Sequence, residues 1–152
     1  FGNRAFRDWH ARLVERAHDA IDAILPAPLR AGGDGGVTLA DEVATYLGAA
    51  FGDATRLDYG TGHEAAFACA LLALRRGGAL HDEDLTSAVL VAFRMYLRVV
   101  RRLQSEYWLE PAGSHGQSPT GRTTGARVRT PENKLARLRL LSLLTRRCVG
   151  SR

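Results

Sequence analysis

The chain has 152 residues and a formal net charge of +5, enough for one ordinary domain or a piece of a larger one. Its two cysteines indicate no disulfide framework and suit a reducing compartment, cytoplasmic or nuclear, with Cys69 expected as a buried thiol inside an apolar run. FGNRAFRDWH is charged from Arg4 onward, unlike a signal or transit peptide; its first residue, Phe rather than Met, reads as a fragment or processed chain; and the longest uncharged apolar run, Ala65 to Leu74, is too short to span a bilayer.

From about Arg4 to Leu25, Phe6, Trp9, Leu13, Ala17, Ile21 and Ile24 recur at three- and four-residue steps, which predicts an amphipathic helix ended by Pro26 and Pro28. Trp9 and His10 read as a core aromatic and a satisfied histidine rather than as a site. RAGGDGG, residues 30–36, reads as a flexible loop. Thr38 caps a second helix, with Asp41 and Glu42 in its first turn where the helix dipole favours acids, and Val43, Tyr46, Leu47 and Ala50 give that helix a face up to about Gly52.

Residues 53–62 read as a loop. The helix after it, about His63 to Arg76, is apolar nearly all round, as expected of a helix central to a core, and Gly77 and Gly78 stop it. The longest helix starts at Asp82, Glu83 and Asp84 and carries Arg98, Arg101 and Arg102 in its second half. Leu85, Val89, Ala92, Phe93, Tyr96, Val100, Leu103 and Tyr107 form its predicted stripe, and Pro111 ends it. No strand-like alternation and no internal repeat is found, so the fold class is all-α.

The basic character belongs to the end of the chain. Residues 117–152 hold nine Arg/Lys and one acid, a balance of +8, against −3 for residues 1–116. QSPTGRTTGARVRT reads as disorder, and TPENKLARLRLLSLLTRR as one further helix with Thr130 at its N-cap and Pro131 at the first position. Such a tail can bind nucleic acid or anionic membranes, but that reading ranks last here.

Three stretches could carry chemistry. RLDYGTGHE, residues 56–64, gathers Arg56, Asp58, Tyr59, Thr61, His63 and Glu64 around two glycines. It admits two compatible readings: a capping box with Thr61 as N-cap and Glu64 three residues on, or a helix N-terminus whose N–H groups, with Arg56, meet a phosphate. It matches neither the P-loop nor the dinucleotide fingerprint. YWLEPAGSHG, residues 107–116, is a helix stop or a tight backbone loop near a ligand. FGNRAFRDWH is the third. The five histidines lack metal-ligand spacing, and no covalent nucleophile is expected.

At these three places, in this order, the sequence resembles the phosphotyrosyl phosphatase activator family, the activators of serine/threonine protein phosphatase 2A. FGNRAFRDWHARL, YLGAAFGDATRLDYGTGHEAAFACALLAL and YWLEPAGSHG carry the resemblance, which covers residues 1–116. It implies an all-α fold, binding of ATP with magnesium in a cleft between helical subdomains, activation of the phosphatase, and peptidyl-prolyl cis–trans isomerase activity on a proline-containing peptide. The implied partners are the catalytic and scaffold subunits of protein phosphatase 2A, with no membrane role. Carried over by motif, Arg56, Thr61 and Gly62 match nucleotide contacts, and Gly116 matches a backbone position near the magnesium.

The resemblance also marks a departure. The family continues from EPAGSxG into VWGLDD, whose acid helps hold the metal, whereas this chain reads QSPTGRTTG. The expected organisation is therefore the N-terminal part of an activator domain, 1–116, joined to a divergent basic tail, 117–152, of alternative or out-of-frame origin. A domain shortened in this way leaves part of the apolar helix 63–76 uncovered. Prolyl isomerisation needs no nucleophile, because a desolvated groove that favours the twisted amide is enough. The competing reading is a non-catalytic helical phosphatase-interaction module.

Overall fold

The computed structural model describes residues 2–30 and 36–112. The tail 117–152, its expected disorder and helix, and residues 113–116 with the Gly116 assignment lie outside the described residues.

The fold is all-α apart from one very short ladder. Helix α1 spans Ala5–Asp22 and buries Phe6, Trp9, Leu13, Ala17 and Ile21, the face that the apolar spacing predicts. A short helix, α2 (Ala27–Arg30), follows across Pro28, ahead of the loop expected at residues 30–36. Arg30 fastens it backwards, donating to the carbonyls of Leu25 and Ala23.

Helix α3 (Leu39–Ala50) begins at Thr38 with a complete capping box: Asp41 N–H donates to the Thr38 hydroxyl, and Thr38 N–H donates to the Asp41 carboxylate. The Thr38 hydroxyl and N–H hold the Asp41 carboxyl below its ordinary value. Helix α3 packs on α1 and on α4 (Thr61–Arg76).

The long helix is not one uniform helix. It opens with a 3₁₀ turn, Asp82–Asp84, continues as α5 (Leu85–Ser87), passes through a π-helical segment, Ala88–Phe93, and ends as α6 (Arg94–Tyr107). Here the predicted stripe needs correcting. Ala88, Ala92, Tyr96, Val100 and Leu103 face inward, while Leu85 is exposed and Val89 is 61% exposed. The wider π turn shifts the register by about a residue, so Ala88 takes the place expected of Val89.

The core is aromatic at its centre. Tyr96 lies parallel to Phe67, with ring centroids 4.1 Å apart, and meets the edge of Phe51; Phe51 meets Trp9 in turn. Each such buried side chain contributes about 1.5–3 kcal/mol. Helix α4 is covered on one side only: Phe67, Ala70, Ala73 and Leu74 are buried, whereas Ala65, Ala68 and Leu72 are exposed. Cys69 is exposed with them, contrary to the buried thiol expected, because it falls on the face of α4 turned away from α3 and the long helix. Among the described residues no helix is long and apolar enough to cross a membrane.

Candidate functional site

The three stretches singled out in the sequence meet at one place. The meeting point is the loop from Gly52 to Gly60, between α3 and α4. Gly52 enters it at φ +114°, where an added Cβ would lie 2.9 Å from the Asp58 carbonyl and 3.2 Å from the Phe6 ring. Asp53 then folds the loop around its own side chain. Its Oδ1 accepts from the N–H groups of Thr55 (2.7 Å) and Arg56 (2.9 Å), and its backbone pairs with Leu57 and Asp58. The Arg56 N–H in particular holds the Asp53 carboxyl below the ordinary carboxylate value.

The chain opening supports this loop from below. Arg7 donates to the carbonyls of Ala54 and Thr55, and His10 Nε2–H donates to the Gly48 carbonyl at 2.8 Å. Trp9 is buried and stacks on Phe6. Both residues are therefore structural, as the sequence reading has them, although the Trp9 indole nitrogen finds no acceptor among the described residues.

The third stretch arrives from the end of α6. Trp108, 71% exposed, adopts the left-handed conformation (φ +53°) and turns the chain back. Leu109 is tucked into the core, and β2 (Glu110–Pro111) runs parallel to β1 (Asp58–Tyr59). Glu110 N–H donates to Leu57 and Ala112 N–H to Tyr59, at 2.9 and 2.8 Å. Sequence periodicity missed this ladder because two residues per strand cannot show alternation. Gly60 makes it possible: a Cβ there would lie 2.8 Å from the Ala112 carbonyl oxygen.

Helix α4 starts directly after the ladder, at Thr61. The expected capping box is absent: Gly60 occupies the N-cap, Thr61 is the first helical residue, and no side chain caps the first turn. A residue at the first helical position cannot cap its own helix. Thr61 and Gly62 are exposed, and nothing lies within 4 Å of where a Gly62 Cβ would stand. Among the described residues nothing covers that end of α4, which presents the N–H groups of Thr61 and Gly62 and the positive end of the helix dipole.

The charged groups beside it are paired. Arg56, 63% exposed, brings Nε to 3.1 Å from Asp58 Oδ2 and 3.3 Å from Asp53 Oδ2. Asp58 is 14% exposed, and among the described residues its Oδ1 accepts no hydrogen bond; His63 Nε2 stands 3.8 Å from it, at ion-pair distance. The His63 ring stacks on Tyr59 and donates from Nδ1 to the Ala49 carbonyl at 2.6 Å, which ties α4 to the end of α3. Beneath, Tyr96 donates its hydroxyl hydrogen to the Ala50 carbonyl and accepts that of Tyr59, each at 2.7 Å. Burial raises both phenols far above their ordinary range, so both stay neutral.

Of the predicted residues, Arg56 is exposed in the loop and paired with Asp53 and Asp58, while Thr61 and Gly62 are exposed at the start of α4. Among the described residues no group of three or more His, Cys, Asp and Glu could hold a metal ion.

Comparison with known proteins agrees with these stretches. The family model described as phosphotyrosyl phosphate activator (PTPA) protein matches residues 1–118. The chain is 46% identical over 116 residues to the serine/threonine-protein phosphatase 2A activator 2 of Yarrowia lipolytica, covering 76% of this chain and 30% of that protein. It is 44% identical over 116 residues to the activator 2 of Eremothecium gossypii, with the same two shares. It is 40% identical over 116 residues to the activator of Drosophila melanogaster, covering 27% of that protein. The chain therefore spans less than a third of the length of these relatives.

Proposed function

The chain belongs to the phosphotyrosyl phosphate activator family, and from that premise we propose that it acts on serine/threonine protein phosphatase 2A as an activator, with ATP and magnesium as its cofactors. The observation that carries the reading is the convergence of residues 3–10, 52–64 and 107–112 on the open N-terminal end of α4. That end has no side-chain cap and no side chain at Gly62, which leaves room for a ligand.

The residues present fit a polyphosphate in part. The first-turn N–H groups of Thr61 and Gly62 offer donors and positive dipole charge, and Arg56 offers a guanidinium. ATP would supply the anionic phosphates and magnesium their neutralisation. The chain's own work is to bind and orient the nucleotide. The described residues alone make no metal site, so magnesium would be held by the phosphates and by residues beyond them.

The finer activity proposed is peptidyl-prolyl isomerisation of a proline-containing peptide. The amide barrier is about 18–20 kcal/mol, and lowering it requires a desolvated groove that favours the twisted amide. The catalytic and scaffold subunits of the phosphatase are the proposed partners, and the cytoplasm and nucleus the proposed compartments.

A second reading has a specific observation in its favour. The matched stretch covers less than a third of the relatives' length. A non-catalytic phosphatase-interaction module is the function such a share can support alone. Incubating inactive phosphatase catalytic subunit with the chain, with and without ATP and magnesium, separates the two. Nucleotide-dependent recovery of phosphatase activity supports the activator; binding to the subunit without recovery supports the module.

A further inference from the structure

We propose that the outward line of α6 is a docking surface for an acidic helix of a partner protein, with Arg94, Arg98 and Arg101 as its charged contacts and Trp108 as its apolar anchor. These residues follow one another at steps of four, three and seven, so they share one line along the helix, about 21 Å long. The line lies opposite the buried Tyr96, Val100 and Leu103. On α1 the outward residues mix their signs, Arg7, Arg12 and Arg16 standing among Asp8, Glu15 and Asp19. The α6 line carries one sign only, and the single acid of α6, Glu106, is taken by Arg102 at 3.4 Å. Among the described residues Arg94, Arg98 and Arg101 have no ion-pair partner.

Trp108 is a second, independent observation. It is 71% exposed, and its backbone stands in the left-handed region at φ +53°, where a bulky residue is rarely held and glycine is the usual occupant of a helix end. Among the described residues its indole makes no ring contact and no hydrogen bond, so the end of the arginine line offers a bare aromatic surface. Arginine and tryptophan are the residues that dominate protein interfaces and their hot spots, where lysine is depleted. A guanidinium fork takes both oxygens of a carboxylate, and acids four residues apart on a helix repeat at about 6 Å, the spacing of Arg94 and Arg98. Charge complementarity and spacing therefore select an acidic helix. The proposal does not depend on the nucleotide reading.

The test is a fluorescence-anisotropy titration of the full chain against a labelled helical peptide of about 20 residues, long enough for the line, with Glu at every third or fourth position and Leu between. Its Gln-for-Glu counterpart and a single-stranded DNA of the same net charge are the comparison probes. The basic tail is present in every variant, so differences between variants read the α6 line alone. The Glu peptide is expected to bind, and Arg94→Gln with Arg98→Gln and Arg101→Gln to weaken it about tenfold and flatten its salt dependence. The corresponding three Lys substitutions weaken it less, since the charge stays and only the fork is lost. Trp108→Ala weakens it about tenfold, as the loss of an interface anchor does. An unchanged urea midpoint in each variant shows that binding and not folding is read. No binding of the Glu peptide, equal binding of the Gln peptide, or an affinity untouched by the three Gln substitutions or by Trp108→Ala overturns the proposal. DNA bound more tightly than the Glu peptide, and lost with the same arginines, overturns the protein partner in favour of nucleic acid.

Discussion

Tyr59 in β1 donates its hydroxyl hydrogen to Tyr96 in α6 across 2.7 Å, and Tyr96 passes its own to the carbonyl of Ala50 at the end of α3. This chain of two hydrogen bonds joins the candidate site to the long helix and to α3 inside the core. Because each phenol has one hydrogen, its direction is fixed.

That direction makes the two tyrosines unequal. Tyr96→Phe takes from Tyr59 its bond to Tyr96 and leaves the Ala50 carbonyl buried without the Tyr96 donor, and the expected loss is about 2–3 kcal/mol. Tyr59→Phe leaves the Tyr96 bond to Ala50 in place and costs about 1 kcal/mol. Urea unfolding of both variants checks the order; a larger loss for Tyr59→Phe contradicts the assigned direction.

Gly60 and Gly62 lie two residues apart and respond oppositely to alanine. At Gly60 the added methyl would sit 2.8 Å from the Ala112 carbonyl oxygen and 2.9 Å from the Ala112 Cβ, so Gly60→Ala pushes β2 off β1. The expected cost is about 1–3 kcal/mol, the range for overpacking. At Gly62 the methyl meets nothing within 4 Å, and Gly62→Ala leaves the melting temperature unchanged or raised. On the nucleotide reading it nonetheless weakens ATP, since the methyl occupies the space a phosphate approaches. Thermal melts and ATP titrations of the two variants check both halves.

Acid should loosen the 52–60 loop. The Arg56 N–H holds the folded-state carboxyl of Asp53 below the 3.8 of the free side chain. A depressed carboxyl contributes stability that is present above 3.8 and is lost as pH falls through the lower folded value. Wild type is therefore more stable than Asp53→Asn at pH 6, and the gap closes below pH 3.8. Denaturant unfolding of both chains across that range measures it; a gap that widens on acidification contradicts the assignment.

The uncovered apolar side chains carry a prediction about solubility. Leu72 on α4 is 55% exposed and Val89 in the π-helical segment 61%. Leu72→Gln with Val89→Gln is expected to change stability by less than about 0.5 kcal/mol per site, as surface replacements do. Light scattering at high protein concentration is expected to fall. A loss of several kcal/mol at either position would show that it is packed after all.

Much of the fold is legible in the sequence where a face repeats over many turns. The α1 stripe and the Thr38 capping box follow from apolar spacing and a four-residue signature, because both are local. What escaped has a common cause. The parallel pairing of β1 with β2 joins residues about fifty positions apart and leaves no period to read. The π turn moves the buried register from Val89 to Ala88 without any change in composition. Thr61 looks like a cap by identity, but the close approach of Ala112 requires glycine at residue 60, and the helix starts one residue later than a Thr61 cap allows. Arg56, Thr61 and Gly62 were singled out through the family motif, whereas the pairing of Arg56 with Asp53 and Asp58 is visible only in three dimensions.

The central claim is that the turn before α4 and the start of that helix face a nucleotide, and a calorimetric titration of ATP with magnesium into the full chain tests it most directly, with Arg56→Ala as the control. The account predicts saturable binding to the wild-type chain that weakens at least about tenfold in Arg56→Ala, the loss expected for a charge-assisted contact. Binding that the substitution leaves unchanged would contradict it.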